Sequence, residues 1–175
     1  RGPMLHRALE QFIMDVHFGA LDVLLLDLPP GTGDIAISMA QLLPNAELVL
    51  ISTPQHAAVD VAERAGTLSL QTGQKVVGVV ENMAAMTLPD GTVLDMFGSG
   101  GGQVLAERLS EALSYSVPLL GSVPLDVNLR TGGDEGTPVV WGHPDSATAE
   151  EIQSIASKLL HSGESRAGQS LPLFV

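Results

Sequence analysis

The 175 residues carry a net charge of −12, which argues against nucleic-acid binding, because affinity for a phosphate backbone needs a basic surface. Cysteine is absent, so the chain supplies no disulfide, no thiol nucleophile and no thiolate ligand for a metal. No apolar run reaches the roughly 18–20 residues that span a bilayer, and we expect a cytoplasmic protein without a membrane partner. Hydrophobic residues make up 45% and aromatic residues 3% of the chain, a composition that suits one α/β domain built on a parallel sheet.

In the first half of the chain, apolar runs alternate with amphipathic stretches, the pattern of successive βαβ units. The predicted elements are a helix over 4–18, a strand over 21–28, a helix over 34–43 with Asp34 as its N-cap, a strand over 47–53, a long helix over 55–71 and a strand over 76–81.

After residue 82 this alternation breaks. The run Leu88-Pro89-Asp90-Gly91-Thr92 predicts a hairpin turn, and the glycine-rich residues 98–102 precede a predicted helix over 103–113. This glycine-rich segment could hold an anion, but it lacks a Lys-Ser/Thr ending, and we predict a hinge or structural turn. A strand over 118–123, a turn or short helix over 128–133, an extended stretch over 137–141, a helix over 147–160 and a loose tail over 162–175 follow.

Four of the predicted strands end in polar or proline-containing turns, and in open α/β sheets ligands bind at the carboxyl ends of the strands. These turns are Asp27-Leu28-Pro29-Pro30-Gly31, Thr53-Pro54-Gln55, Asn82-Met83 and Pro124-Leu125-Asp126. We therefore predict one site to which all four turns contribute.

Two of these turns carry residues whose chemistry suits a nucleotide. Asp27 offers the hard oxygen ligands that Mg²⁺ prefers, and Gly31 allows a γ-phosphate to approach the backbone. The competing interpretation is that Asp27 caps the turn that follows its strand. Asn82 offers both a donor and an acceptor, as the edge of an adenine ring requires, but an asparagine that satisfies its own turn explains the spacing equally well.

Several segments occur in an order that resembles one family. They are Arg1-Gly2-Pro3-Met4, the stretch from Leu21 to Asp34, Ser52-Thr53-Pro54-Gln55, Val80-Glu81-Asn82-Met83, Phe97-Gly98-Ser99-Gly100-Gly101-Gly102, Gly121-Ser122-Val123-Pro124-Leu125-Asp126 and Gly133-Asp134-Glu135-Gly136. Together they resemble the Mrp-type ATPases, iron–sulfur cluster carriers of the deviant P-loop class that also holds the MinD-type and nitrogenase-iron-protein ATPases.

The resemblance implies a mostly parallel α/β sheet flanked by helices, like a P-loop NTPase of the SIMIBI type. It also implies a homodimer that binds and hydrolyses ATP with Mg²⁺ and works with iron–sulfur scaffold or client proteins. By the same resemblance, Asp27 holds Mg²⁺, Gly31 senses the γ-phosphate, Thr53 and Pro54 line the pocket, and Asn82, Pro124 and Asp126 surround the adenine base.

The chain departs from the family pattern in two places. A phosphate loop of the form G-K-G-G-V-G-K-S does not occur in it, so the resemblance implies an N-terminally incomplete fold in which residues 1–161 form the C-terminal part of a P-loop NTPase domain. Without that loop, we expect the isolated chain to be inactive. The second departure is that Leu88-Pro89-Asp90-Gly91 occupies the place of the family's C-P-x-C motif, so no thiolate here can ligate a cluster.

Two other functions stay open at this stage. One is a MinD-like positioning or partitioning ATPase, although residues 162–175 lack the basic amphipathic character of a membrane-binding helix. The other is a non-catalytic fragment that acts through protein interactions.

Overall fold

A three-stranded parallel sheet organises the structure, a computed structural model that describes residues 2–29 and 33–162. In chain order the elements are α1 (Gly2–Asp15), α2 (Asp34–Leu42), β1 (Glu47–Ser52), α3 (His56–Thr67), α4 (Ser69–Thr72), β2 (Lys75–Ala84), β3 (Met86–Thr87), β4 (Val93–Leu94), α5 (Gly101–Leu113), β5 (Leu119–Pro124), α6 (Val127–Glu135), α7 (Val139–Gly142) and α8 (Ala147–Ser162). The strand order is β1-β2-β5, and β3 and β4 form the predicted antiparallel hairpin.

Helices cover both faces of the sheet, because successive strand residues point to opposite sides. On one face, Val79 of β2 packs with residues of α3 and α5, among them the fully buried Val59 and Leu105. On the other face, Val80 packs against Leu120 of β5 and Ile155 of α8. The expected α/β architecture with a parallel sheet between helices is therefore confirmed.

The outer edge of β5 is closed by side chains of α8. Glu151 Oε1 accepts a hydrogen bond from the Ser122 N–H at 2.9 Å, and Lys158 Nζ donates to the Leu120 carbonyl oxygen at 2.5 Å. Backbone groups on a sheet edge are otherwise open to pairing with another strand. These two contacts end the sheet at β5.

The prediction of a strand over 21–28 is wrong for the described structure, which assigns that segment neither strand nor helix. A strand exists only through its ladder, and neither described sheet includes a partner for this segment. Most of its apolar side chains are consequently exposed, with Leu25 at 84% of its full accessibility, while Leu26 and Leu28 are half-buried. The pattern identified an apolar segment but not the neighbour that a strand needs.

Other differences concern element ends. The predicted extended stretch over 137–141 is wrong, because Pro138 is the N-cap of the short helix α7, a place where its fixed φ suits a helix start. Gly33, not Asp34, is the N-cap of α2, and Asp34 is its first residue. The long helix predicted over 55–71 is divided into α3 and α4, and Gly73, in the left-handed region, is the C-cap of α4.

The tail predicted over 162–175 lies outside the described residues apart from Ser162, the last residue of α8. Among the helices that the structure describes, none is both long enough and apolar enough to cross a membrane.

Candidate functional site

The carboxyl ends of β1, β2 and β5 meet at one edge of the sheet, because all three strands are parallel. Ser52, Glu81 and Ser122 are lateral neighbours across the three strands, so the residues that follow them leave the sheet side by side. Three of the four predicted turns are thereby brought together, those that begin at Thr53, Asn82 and Pro124. We call this group of strand ends the carboxyl edge.

The fourth turn is described only in part. Asp27 is exposed, whereas Gly31 lies outside the described residues. An exposed carboxylate fits Mg²⁺, which keeps several water ligands and often takes only one or two carboxylates from the protein. Within the part of the chain that the structure describes, no group of three or more His, Cys, Asp or Glu side chains is arranged to hold a metal ion.

Asn82 lies in a β-bulge. Between Glu81 and Ala84 the strand β2 has one residue more than its partner β5, which advances from Ser122 to Pro124 over the same stretch. The bulge continues β2 beyond Asn82, the residue at which the sequence predicted an end. Bulges re-aim side chains and occur often beside active sites.

The backbone conformation at the bulge is held locally. Met83 has a φ of 56°, in the left-handed region that non-glycine residues rarely adopt, and its N–H donates to Asn82 Oδ1 at 2.9 Å. The amide oxygen is assigned from this bond, because a backbone N–H needs an acceptor. The donor nitrogen Nδ2 of the half-buried Asn82 has no partner among the described residues, so the amide can donate to an acceptor such as a ring nitrogen of a base.

The glycine-rich segment packs the start of α5 against the carboxyl edge. A Cβ on Gly101 would lie 2.4 Å from the Pro54 carbonyl oxygen, so only glycine permits this approach. The N–H of Gly102 donates to Glu81 Oε2 at 2.6 Å, in a buried contact. Of the predicted hinge or structural turn, the structure shows a turn, with Gly98 and Gly100 at positive φ, and an internal carboxylate bonds to the helix start, where anions commonly bind.

Glu81 is a residue that the sequence reasoning did not single out. It is only 5% exposed, and it follows the apolar residues 76–80 of β2. Lone acids in buried strands are rare unless a donor satisfies them, and that rarity was the signal available in the sequence.

Just after β5, Asp126 uses both carboxylate oxygens within the protein. Oδ1 accepts from the Asn128 N–H at 2.7 Å and so caps α6, while Oδ2 accepts from Thr148 Oγ1 at 2.7 Å. The Leu125 N–H donates to the Ala84 carbonyl oxygen at 3.2 Å. The turn after β5 is therefore fixed to the end of β2 and to the starts of α6 and α8.

Just after β1, Thr53 Oγ1 donates to Gln55 Oε1 at 3.3 Å, and the backbone of the buried Pro54 contacts Gly101. The Pro54 backbone therefore forms a packed wall on the β1 side of the carboxyl edge.

Comparisons with known proteins show the family of the chain. A family model described as NUBPL iron-transfer P-loop NTPase, within the ParA group, matches residues 1–160. The iron-sulfur cluster carrier protein of Mycobacterium tuberculosis is 61% identical over 173 residues, which are 99% of this chain and 45% of that protein. The chain thus spans about half the length of the curated relatives it matches.

Solved structures point to the same fold. A nucleotide-binding protein from Archaeoglobus fulgidus in complex with ADP is 33% identical, with a TM-score of 0.63, and the match covers 77% of this chain and 53% of that one. The cell division ATPase MinD of Pyrococcus furiosus gives a TM-score of 0.63 over 93% of this chain and 60% of its own, but at 21% identity it shows the fold alone. These matches confirm the resemblance drawn from the ordered segments: the chain belongs to the ParA group of NUBPL-type iron-transfer P-loop NTPases.

Proposed function

We propose that the complete protein binds and hydrolyses Mg·ATP and carries iron–sulfur clusters to client proteins. The observation that carries the nucleotide part is the bulge at the carboxyl edge, which presents the Asn82 amide beside the turns that start at Thr53 and Pro124. The carrier part rests on the family and on relatives named iron-sulfur cluster carrier protein. Because the chain covers about half of those relatives, the proposal concerns the complete protein.

In this proposal the carboxyl edge holds the base. Asn82 donates from Nδ2 to the adenine edge, and the backbone of the turn from Pro124 to Asp126 forms the neighbouring wall. The side chain of Asp126 acts by fixing this turn, since its oxygens are already bonded to Asn128 and Thr148. Thr53 and Pro54 close the opposite side.

Asp27 and Gly31 serve the phosphate end of the nucleotide. The Asp27 carboxylate holds Mg²⁺ directly or through water, and the ion, when bound, neutralises charge on the phosphates. Gly31 has no side chain, so a γ-phosphate can approach the backbone at this residue type. The chain's residues thus position the nucleotide, and water is the nucleophile.

The exposed apolar side chains of residues 21–25 support the proposal that the strand carrying the phosphate loop lies next to this segment. In the family, the strand that carries the phosphate loop lies next to the Asp27 strand in the middle of the sheet. Such a strand would give segment 21–28 a ladder partner and remove Leu25 and its exposed neighbours Leu21, Val23 and Leu24 from water. The exposed apolar side chains are thus explained by one missing contact.

The cluster is cargo, and this chain contributes no thiolate to it. The β3–β4 hairpin takes the place of the family's C-P-x-C motif. Cluster ligands in the proposal therefore come from outside this sequence, from the scaffold or client proteins that deliver and accept the cluster. The proposed assembly is a cytoplasmic homodimer, as the family resemblance implies.

ATP hydrolysis and cluster transfer by the full-length protein test the two parts separately. Asp27→Asn is expected to lower Mg-dependent ATP hydrolysis by about 100-fold or more, because metal neutralisation of the phosphates is worth several kcal/mol. Asp22→Asn, at an exposed site in the same segment, is the matched control and should hydrolyse ATP as the wild type does. Equal rates in the two variants would contradict the Mg²⁺ role. Intact hydrolysis without transfer to an apo-acceptor would contradict the carrier role.

A further inference from the structure

Residues 85–100 leave the sheet at the end of β2 and lead to the start of α5. This excursion contains the β3–β4 hairpin, and its two ends are joined at the carboxyl edge. The hydrogen bond from Gly102 N–H to Glu81 Oε2 spans 21 residues of sequence and closes the base of the excursion. A second contact, between Gly101 and the Pro54 backbone, attaches the same base to the end of β1.

The contact of Glu81 with Gly102 is tight and electrostatically favourable. The Gly102 N–H lies 2.6 Å from Glu81 Oε2, a short distance for an N–H···O bond, and Glu81 is 5% exposed. The acceptor sits at the first turn of α5, where the helix dipole attracts negative charge. No residue larger than glycine fits opposite it, because a Cβ on Gly102 would lie 2.7 Å from the Glu81 Cβ.

Glu81 is also the last residue of β2 in regular register before the bulge. It pairs with Ser52 on one side and Ser122 on the other, and the next residues, Asn82 and Met83, form the bulge. The backbone of Glu81 therefore sets where the bulge begins, while its carboxylate sets where α5 begins. Because Asn82 directly follows Glu81, a displacement of the Glu81 side chain would disturb both the start of α5 and the backbone of the bulge.

We propose that Glu81 is a positioning residue for base recognition, which holds the start of α5 against the strand ends and thereby aims the Asn82 amide. This inference rests on the proposed function, since it assigns a determinant of specificity to the same nucleotide site. The Glu81 carboxylate is buried against Gly102, so in this proposal it acts on the base only through the bulge. Its effect must therefore appear in discrimination between bases and not only in stability.

Titration calorimetry of ADP and GDP with the full-length protein tests the inference. Glu81→Gln keeps an acceptor of the same shape but loses the charge, and Gly102→Ala disturbs the contact from the other side. Both variants are expected to lower the ratio of ADP to GDP affinity by about tenfold, the loss for one misdirected hydrogen bond. Glu111→Gln removes the same charge from an exposed site on α5 and should leave the ratio unchanged.

The melting temperature of each variant separates positioning from folding. If Glu81→Gln and Gly102→Ala lower the melting temperature but keep the wild-type ratio of ADP to GDP affinity, the role of Glu81 is structural only and the inference is overturned. If the wild type binds ADP but the variants keep the wild-type ratio of ADP to GDP affinity, only the inference is overturned. A wild-type protein that binds no ADP overturns the proposed function together with it.

Discussion

Asp126 offers a direct test of how the carboxyl edge is held together, because both of its carboxylate oxygens bond within the protein. In Asp126→Ala, α6 loses its N-cap, at a cost of about 1 kcal/mol. The Thr148 hydroxyl, in a residue only 2% exposed, also loses its acceptor, which costs about 1–3 kcal/mol. We expect the free energy of unfolding to fall by about 2–4 kcal/mol in total.

Urea denaturation of the full-length protein measures this loss. Asp126→Asn keeps an oxygen for the cap and an amide that the Thr148 hydroxyl can accept from, so it should cost about 1 kcal/mol or less. Asp134→Ala, which breaks an exposed ion pair with Arg130 on the same helix, is the control and should change stability by less than about 1 kcal/mol. If Asp126→Ala is as stable as Asp134→Ala, the two hydrogen bonds do not hold the edge and the reasoning is refuted.

Three further predictions follow from packing and charge. Gly101→Ala should lower the free energy of unfolding by about 1–3 kcal/mol, because the new Cβ would meet the Pro54 carbonyl oxygen. Gly133 lies in open space on α6, so Gly133→Ala should raise the free energy of unfolding by up to about 1 kcal/mol in the same urea assay. Leu105→Ala, at a fully buried site, should cost about 2–5 kcal/mol. NMR titration should give Asp90 a pKa below its ordinary value, because the backbone N–H two residues on donates to its carboxylate. Its stabilising effect is then present above the unfolded pKa and is lost as pH falls through the lower folded value, and an unshifted pKa would contradict the hairpin turn.

The sequence predicted those elements whose signal is local. The apolar run 76–80 and the run 118–123 became β2 and β5, and the helices predicted over 4–18 and 147–160 match α1 and α8 to within a few residues. The segment 21–28 has the same apolar character, yet no strand forms there in the described structure. Apolar character is a property of the segment, whereas strand formation depends on a partner elsewhere in the chain.

The candidate site was predictable to the level of strand ends but not of contacts. Parallel strands carry their carboxyl ends to one edge, so the sequence alone was enough to group the turns at Thr53, Asn82 and Pro124. The bulge at Asn82 arises from its pairing with β5, and the contact of Glu81 with Gly102 joins residues 21 apart. Neither has a local pattern, because both depend on how distant segments pack.

The most direct test of the central claim is the affinity of the full-length protein for Mg·ADP, measured by titration calorimetry in the wild type and in Asn82→Ala. Loss of the amide should weaken binding by about tenfold, since one hydrogen bond to the base is removed. Gln153→Ala, which removes an exposed amide from α8, serves as the control. A wild-type affinity that Asn82→Ala leaves unchanged would contradict the claim that the carboxyl edge of this sheet binds the adenine base.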